Sequence, residues 1–177
     1  MKPFHPMKRS VLLLLSLILS ASCEKGDSYS TYSQKYRVFF SCETSVSPYN
    51  QITTPGRFIS VRKNQGKLYL ADSDGNSFDM ELTAIQNGHF AFGLAGLIIG
   101  TPTFNNDNMS VWAYDLGCPE CNSPTTRLKF DLHGTATCPK CERSWSLNSG
   151  GYPVSDKSRP LYRYPVTLNS GLLTVAN

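Results

Sequence analysis

Two Cys-Pro-x-Cys steps, Cys118-Pro119-Glu120-Cys121 and Cys138-Pro139-Lys140-Cys141, are separated by sixteen residues. No other feature restricts the fold of this chain so strongly. Two sulfurs three residues apart on a tight turn can bind one ion side by side. A pair of C-x2-C steps separated by roughly fifteen to twenty residues has the spacing of a metal site built from two facing knuckles. The intervening segment must then run out and back as a hairpin to deliver the second pair. Each Pro presets its own φ and carries no N–H, which leaves the following amides free to point at thiolate sulfur. Four thiolates suit zinc or iron with sulfur and suit magnesium or calcium poorly. The same residues also admit a metal-free binding or scaffold protein stapled by knuckle disulfides.

The first residues set an expectation for the compartment. Lys8 and Arg9 precede the apolar run Val11 to Leu19, which is short for a membrane span and placed where a signal core belongs. Ser20-Ala21-Ser22-Cys23 follows. The arrangement resembles a bacterial lipoprotein signal, although Ser20 stands where such signals usually carry Leu. The resemblance implies removal of residues 1–22, lipidation of Cys23, and a protein anchored to a membrane of the bacterial cell envelope. An ordinary secretory peptide, with Cys23 an incidental thiol, is the alternative. Lys8-Arg9 is not a twin-arginine signal, so the expected route threads the chain unfolded and leaves it to find its metal outside, which favours zinc.

Without residues 1–22 the chain keeps 155 residues, one domain's worth, and its formal charge falls from +4 to about +1 because Lys2, Lys8 and Arg9 leave with the signal. No basic stripe interleaved with aromatics survives, and no nucleic-acid partner is expected. Residues 23–34, rich in Ser, Gly and charge, read as a flexible tether. Residues 35–177 read as a single β domain.

From Lys35 the texture is that of an all-β protein. Short β-branched and aromatic runs (Tyr36 to Phe40, Arg57 to Val61, Lys67 to Leu70, Phe78 to Leu82, Val111 to Tyr114, Arg127 to Phe130, Leu161 to Leu168, Leu172 to Val175) alternate with turn residues. The expected turns are Thr54-Pro55-Gly56, Asp72 to Gly75, Asn87-Gly88, Asn105 to Asn108 and Asn169-Ser170-Gly171. No window sustains a helical apolar period. Gly93 to Gly100 lacks the Gly-Lys-Ser/Thr end of a phosphate loop and reads as a buried strand with glycines where another backbone approaches. Cys42 has no partner thiol and follows an apolar strand, so it reads as a buried free cysteine. His89 falls in an expected strand, and His133-Gly134 at the tip of the hairpin between the knuckles. No Ser-His-Asp grouping, nucleophile elbow or metalloprotease motif is present, so no catalytic residues are assigned.

The region from Val111 resembles a Rieske domain. Val111-Trp112-Ala113-Tyr114-Asp115-Leu116-Gly117-Cys118-Pro119 is similar to that family's strand and first cluster loop. Cys138-Pro139-Lys140-Cys141, followed by Trp145 and the turn ending in Gly150-Gly151, is similar to its second loop, and Arg159 to Val166 to the closing strand. The resemblance implies Rieske-like antiparallel sheets with a metal-binding subdomain over about residues 110–152, and a two-iron two-sulfur cluster. The family holds that cluster with one Cys and one His from each loop. Here Cys141 stands in place of the second His, and the first loop has Glu120 at the Cys-x-His spacing with Cys121 just after it. A cluster on Cys118, Cys121, Cys138 and Cys141 would have a low, ferredoxin-like potential and no titrating ligand. The expected cofactor is therefore a two-iron two-sulfur cluster or a zinc ion on four cysteines. The expected role is electron transfer or binding through a partner that the sequence does not identify.

Overall fold

The computed structural model describes residues 32–104, 110–155 and 157–177. Cys23, the expected signal over 1–22, most of the expected tether and the expected Asn105 to Asn108 turn lie outside the described residues. The strands in chain order are β1 (Val38–Glu43), β2 (Phe58–Asn64), β3 (Lys67–Asp72), β4 (Ser77–Glu81), β5 (Ala91–Phe92), β6 (Leu97–Gly100) and β7 (Trp112–Asp115). They continue as β8 (Lys129–Phe130), β9 (Thr135–Thr137), β10 (Ser144–Ser146), β11 (Tyr152–Pro153), β12 (Arg163–Tyr164), β13 (Val166–Asn169) and β14 (Leu172–Ala176). They pair antiparallel into a six-stranded sheet, β12-β7-β6-β2-β3-β4, and two four-stranded sheets, β13-β14-β1-β5 and β11-β10-β9-β8. Among the described residues the fold is thus nearly all β, as the short β-branched and aromatic runs imply.

The layers are set by what alternates along the central strands. Leu97, Ile98 and Ile99 of β6 are all fully buried, which is the mark of a strand covered on both faces. Leu97 and Ile99, with Val61, Leu70 and Ala113, meet Val38, Phe40, Leu173 and Val175 of the β13-β14-β1-β5 sheet. Ile98 points the other way with Phe58 and Tyr114, into a second cluster made by Cys118, Leu128, Ala136, Cys138, Trp145 and Leu147. The six-stranded sheet therefore lies between the other two, and the knuckles are built on the face opposite β1 and β14. Gly100, at the end of β6, has the close approach expected of it: a Cβ there would collide with the Arg57 carbonyl and the Phe58 backbone.

Three local expectations are corrected. Asn87-Gly88 is not a turn but lies inside a short helix, α1 (Ala84–His89), and His89 ends that helix rather than standing in a strand. The cause is a capping box: Thr83 Oγ1 accepts from the Gln86 amide at 3.2 Å, and the Thr83 amide donates to Gln86 Oε1 at 3.0 Å. The run Leu161 to Leu168 is two strands, because Pro165 has no N–H to continue a ladder. Before it β12 pairs with β7, and after it β13 pairs with β14 in another sheet. The described end of the tether, residues 32–34, is tied down, with the Ser33 amide donating to the Arg163 carbonyl at 2.7 Å and Asn177 Nδ2 donating to the Ser33 carbonyl at 3.0 Å. No helix among the described residues is long and apolar enough to cross a membrane.

Cys42 is a free, buried cysteine on β1, packed between the β13-β14-β1-β5 sheet and the six-stranded sheet. Burial pushes its thiol from 9.0 up to about 12. A group raised in this way contributes stability fully below its unfolded value and loses it as pH climbs through the folded one. Replacing Cys42 with Ala should therefore cost about 1 kcal/mol or less at neutral pH. It should also flatten the decline in urea midpoint between pH 9 and 12 and leave metal content unchanged. Loss of metal in the variant would instead make Cys42 a ligand.

Candidate metal centre

Each knuckle is one turn of backbone folded onto its own first sulfur. In the first, reached from β7, the Asn122 amide donates to the Cys118 carbonyl at 2.9 Å and the Cys121 amide donates to Cys118 Sγ at 3.4 Å. In the second, between β9 and β10, the Glu142 amide donates to the Cys138 carbonyl at 2.9 Å and the Lys140 amide donates to Cys138 Sγ at 3.4 Å. Asn122 and Glu142, each following the second cysteine, both take the left-handed conformation, with φ of 47° and 60°. The equivalence follows from the shared Cys-Pro-x-Cys chemistry, since the proline keeps one amide out of the turn and the next amides aim at sulfur.

The hairpin β8-β9, turning through Asp131 to Gly134, and the strand β10 bring the two knuckles face to face. Cys118 Sγ lies 3.7 Å from Cys141 Sγ and Cys121 Sγ lies 3.8 Å from Cys138 Sγ, so the near contacts run across the site. All four ligand atoms lie within 4.8 Å of one another. All four cysteines are free, so the alternative of knuckle disulfides is not what the structure contains. Cys118 and Cys138 are buried and Cys121 and Cys141 are half-buried. Burial pushes the Cys118 thiol well up. Burial acts on Cys138 in the same sense, but the Cys141 and Lys140 amides and the neighbouring sulfurs outweigh it, and the net shift there is down. The four cysteines expected from the spacing are thus brought together as one group that can hold a metal ion.

The charged side chains around the site pair with one another across it. Arg143, one of the two cations nearest the second knuckle in sequence, pairs with Glu120 of the first knuckle at 3.0 Å. Glu120 Oε1 also accepts the Arg159 amide at 2.8 Å, and the Arg159 carbonyl accepts Trp145 Nε1 at 2.8 Å. One carboxylate therefore joins both knuckles to the segment that closes over Trp145. Asn122 is likewise a junction, its Oδ1 accepting Tyr36 Oη at 2.6 Å and Lys35 Nζ at 3.0 Å. This ties the first knuckle to the start of the domain. Residues as ordinary as Glu120 and Asn122 carry no signal in sequence for these roles, because their partners are distant in the chain.

A further residue that the spacing does not reveal is Asp115, the last of β7 and fully buried. It accepts the Gly117 amide at 2.6 Å, immediately before Cys118, and the Tyr164 hydroxyl at 2.7 Å. The histidines stand apart from the sulfurs: His133 occupies the β8-β9 turn, its amide donating to Asp131 Oδ1 at 3.0 Å, and the metal-capable group among the described residues is made of cysteines alone. Comparison with protein-family models and with curated proteins returns no match for this chain.

Proposed function

We propose that this is a lipid-anchored protein of a bacterial envelope in which a Rieske-like β scaffold carries one zinc ion on Cys118, Cys121, Cys138 and Cys141. The ion's role is to hold the knuckle subdomain folded for binding or docking, rather than to perform chemistry. The observation that carries the reading is the size of the sulfur set. A tetrahedral ion at about 2.3 Å from each sulfur requires sulfur–sulfur edges of about 3.8 Å. The cross-site contacts of 3.7 and 3.8 Å meet that requirement. A two-iron cluster places its sulfur pairs on different metals, an iron–iron distance plus the outward lean of the Fe–S bonds apart. That all four sulfurs fall within 4.8 Å of one another supports one shared ion over that wider arrangement.

What supports the Rieske-like scaffold is the inside–outside order of the ligands. Cys118 and Cys138, which match the cysteines of that family's loops, are the buried pair, and Cys141, in the place of the second histidine, is on the outer side with Cys121. Four thiolates around zinc carry a formal charge of −2, partly offset by the amides aimed at Cys118 and Cys138.

Metal analysis and one visible spectrum test the reading. The expected result is one zinc per chain and no colour. Two irons with visible absorption would restore the two-iron electron carrier, and one iron with colour would make the site a mononuclear redox centre. The anchor is tested by fractionation: wild-type protein should pellet with membranes, since acyl chains acting together bind stably. Cys23→Ala should be soluble, and equal solubility of the two would remove the anchor from the proposal.

A further inference from the structure

The two knuckles share an asymmetry that a purely structural site does not need. In each, the first sulfur is buried and accepts a backbone amide, at 3.4 Å for both Cys118 and Cys138. The second sulfur, Cys121 or Cys141, is half-buried, and its contact among the described residues is with the opposing first sulfur, at 3.8 and 3.7 Å. A hydrogen bond to sulfur withdraws charge from it, and burial bars a reagent from reaching it. A bare, reachable thiolate keeps both its nucleophilicity and its access. Because the pattern is repeated in two segments with different neighbours, it belongs to the site and not to one loop.

We propose that Cys121 and Cys141 form a modification site, the thiolates through which a hydroperoxide oxidises the zinc-loaded centre and expels its ion. The proposal rests on the single-ion reading above. The Cys121 sulfur attacks one peroxide oxygen, an S–O bond forms as the O–O bond breaks, and the leaving oxygen takes a proton. Cys138 Sγ, 3.8 Å away, then attacks the oxidised sulfur. The S–S bond forms as the S–O bond breaks, and the departing hydroxide is protonated to water. Two thiolates lose two electrons and the peroxide gains them. Cys141 has the same relation to Cys118, at 3.7 Å. Either disulfide leaves only two thiolates facing the ion, which then dissociates. All four sulfurs hold the ion at rest; Cys121 and Cys141 meet the reagent, and Cys138 and Cys118 close the disulfides.

The test uses the full chain with its zinc content measured first. Sub-stoichiometric N-ethylmaleimide, followed by denaturation in excess isotope-labelled reagent, reads which thiol reacts first by peptide mapping. Cys121 and Cys141 should carry roughly fivefold or more of the first label compared with Cys118 and Cys138, about the effect of one hydrogen bond. Buried Cys42 should carry almost none. Hydrogen peroxide should then release one zinc and produce a disulfide joining Cys121 to Cys138 or Cys118 to Cys141. First labelling of Cys118 or Cys138, equal labelling of all four, or oxidation that leaves zinc bound would overturn the proposal while leaving the single-ion reading in place. Protein that holds no zinc as purified would overturn both.

Discussion

Stripping the ion with a chelator, or replacing Cys138 with Ser, should unfold the knuckle region while β1, β14, β2 and β3 stay paired. The sheet that carries the knuckles is made of strands of two and three residues. Strands so short cannot hold a sheet unaided. Their apolar side is thin as well: Leu128, Ala136, Trp145 and Leu147 pack onto Phe58, Ile98 and Tyr114 of the central sheet. Structural zinc in peptide sites binds with roughly 10–16 kcal/mol, as much as the whole stability of an ordinary domain. Losing even part of that exceeds what the short strands retain. Trp145 supplies the readout, since it is fully buried and the only other tryptophan in the sequence is Trp112. Its emission should shift to the red on chelation. Amide exchange should become fast over Gly117 to Gly151 and stay slow in β1 and β14. Unchanged Trp emission in metal-free protein would mean that packing, not the ion, holds the knuckles.

The knuckles were legible because their chemistry is local. A Cys-Pro-x-Cys step dictates its own turn, and two of them at this spacing have little choice but to face each other. The β class was legible for the same reason, from runs of β-branched and aromatic residues a few positions long. What was not legible depends on partners far away in the chain. Leu97-Ile98-Ile99 reads as buried, but nothing local says that Leu97 faces one sheet and Ile98 another. Asn87-Gly88 looks like a turn until Thr83 and Gln86 are seen to cap a helix across it. Glu120 occupies the free position of its knuckle, yet its two cations are Arg143 and Arg159. Asp115 sits in an apolar strand where polarity alone suggests an edge. Its donors come from residues 94, 95, 117 and 164.

Asp115→Ala should destabilise the protein by at least about 3 kcal/mol and quicken zinc release, with Asp115→Asn between it and the wild type. One carboxylate oxygen accepts the Leu94 amide at 2.6 Å and the Tyr164 hydroxyl at 2.7 Å. The other accepts the Gly117 amide at 2.6 Å and the Ala95 amide at 3.2 Å. Burial pushes this carboxyl's pKa up against the pull of those donors. The alanine variant leaves four donors without their acceptor, two of them, the Gly117 amide and the Tyr164 hydroxyl, in buried positions, which is why its cost exceeds that of one lost hydrogen bond. Asn keeps one acceptor oxygen, enough for one pair of donors. Its amide nitrogen then faces the other pair, where a hydroxyl can turn to accept but a backbone N–H cannot. The space is filled with equal care: Gly93, at φ 68°, lies so close that a Cβ there would strike Asp115 and the Tyr164 hydroxyl. Because the Gly117 amide immediately precedes Cys118, a strained donor there displaces the first ligand. The metal off-rate, read with a colorimetric zinc chelator, should therefore rise in the order wild type, Asn, Ala. An off-rate unchanged in a folded Asp115→Ala protein would confine Asp115 to pinning the Gly93–Gly96 loop and break its link to the metal site.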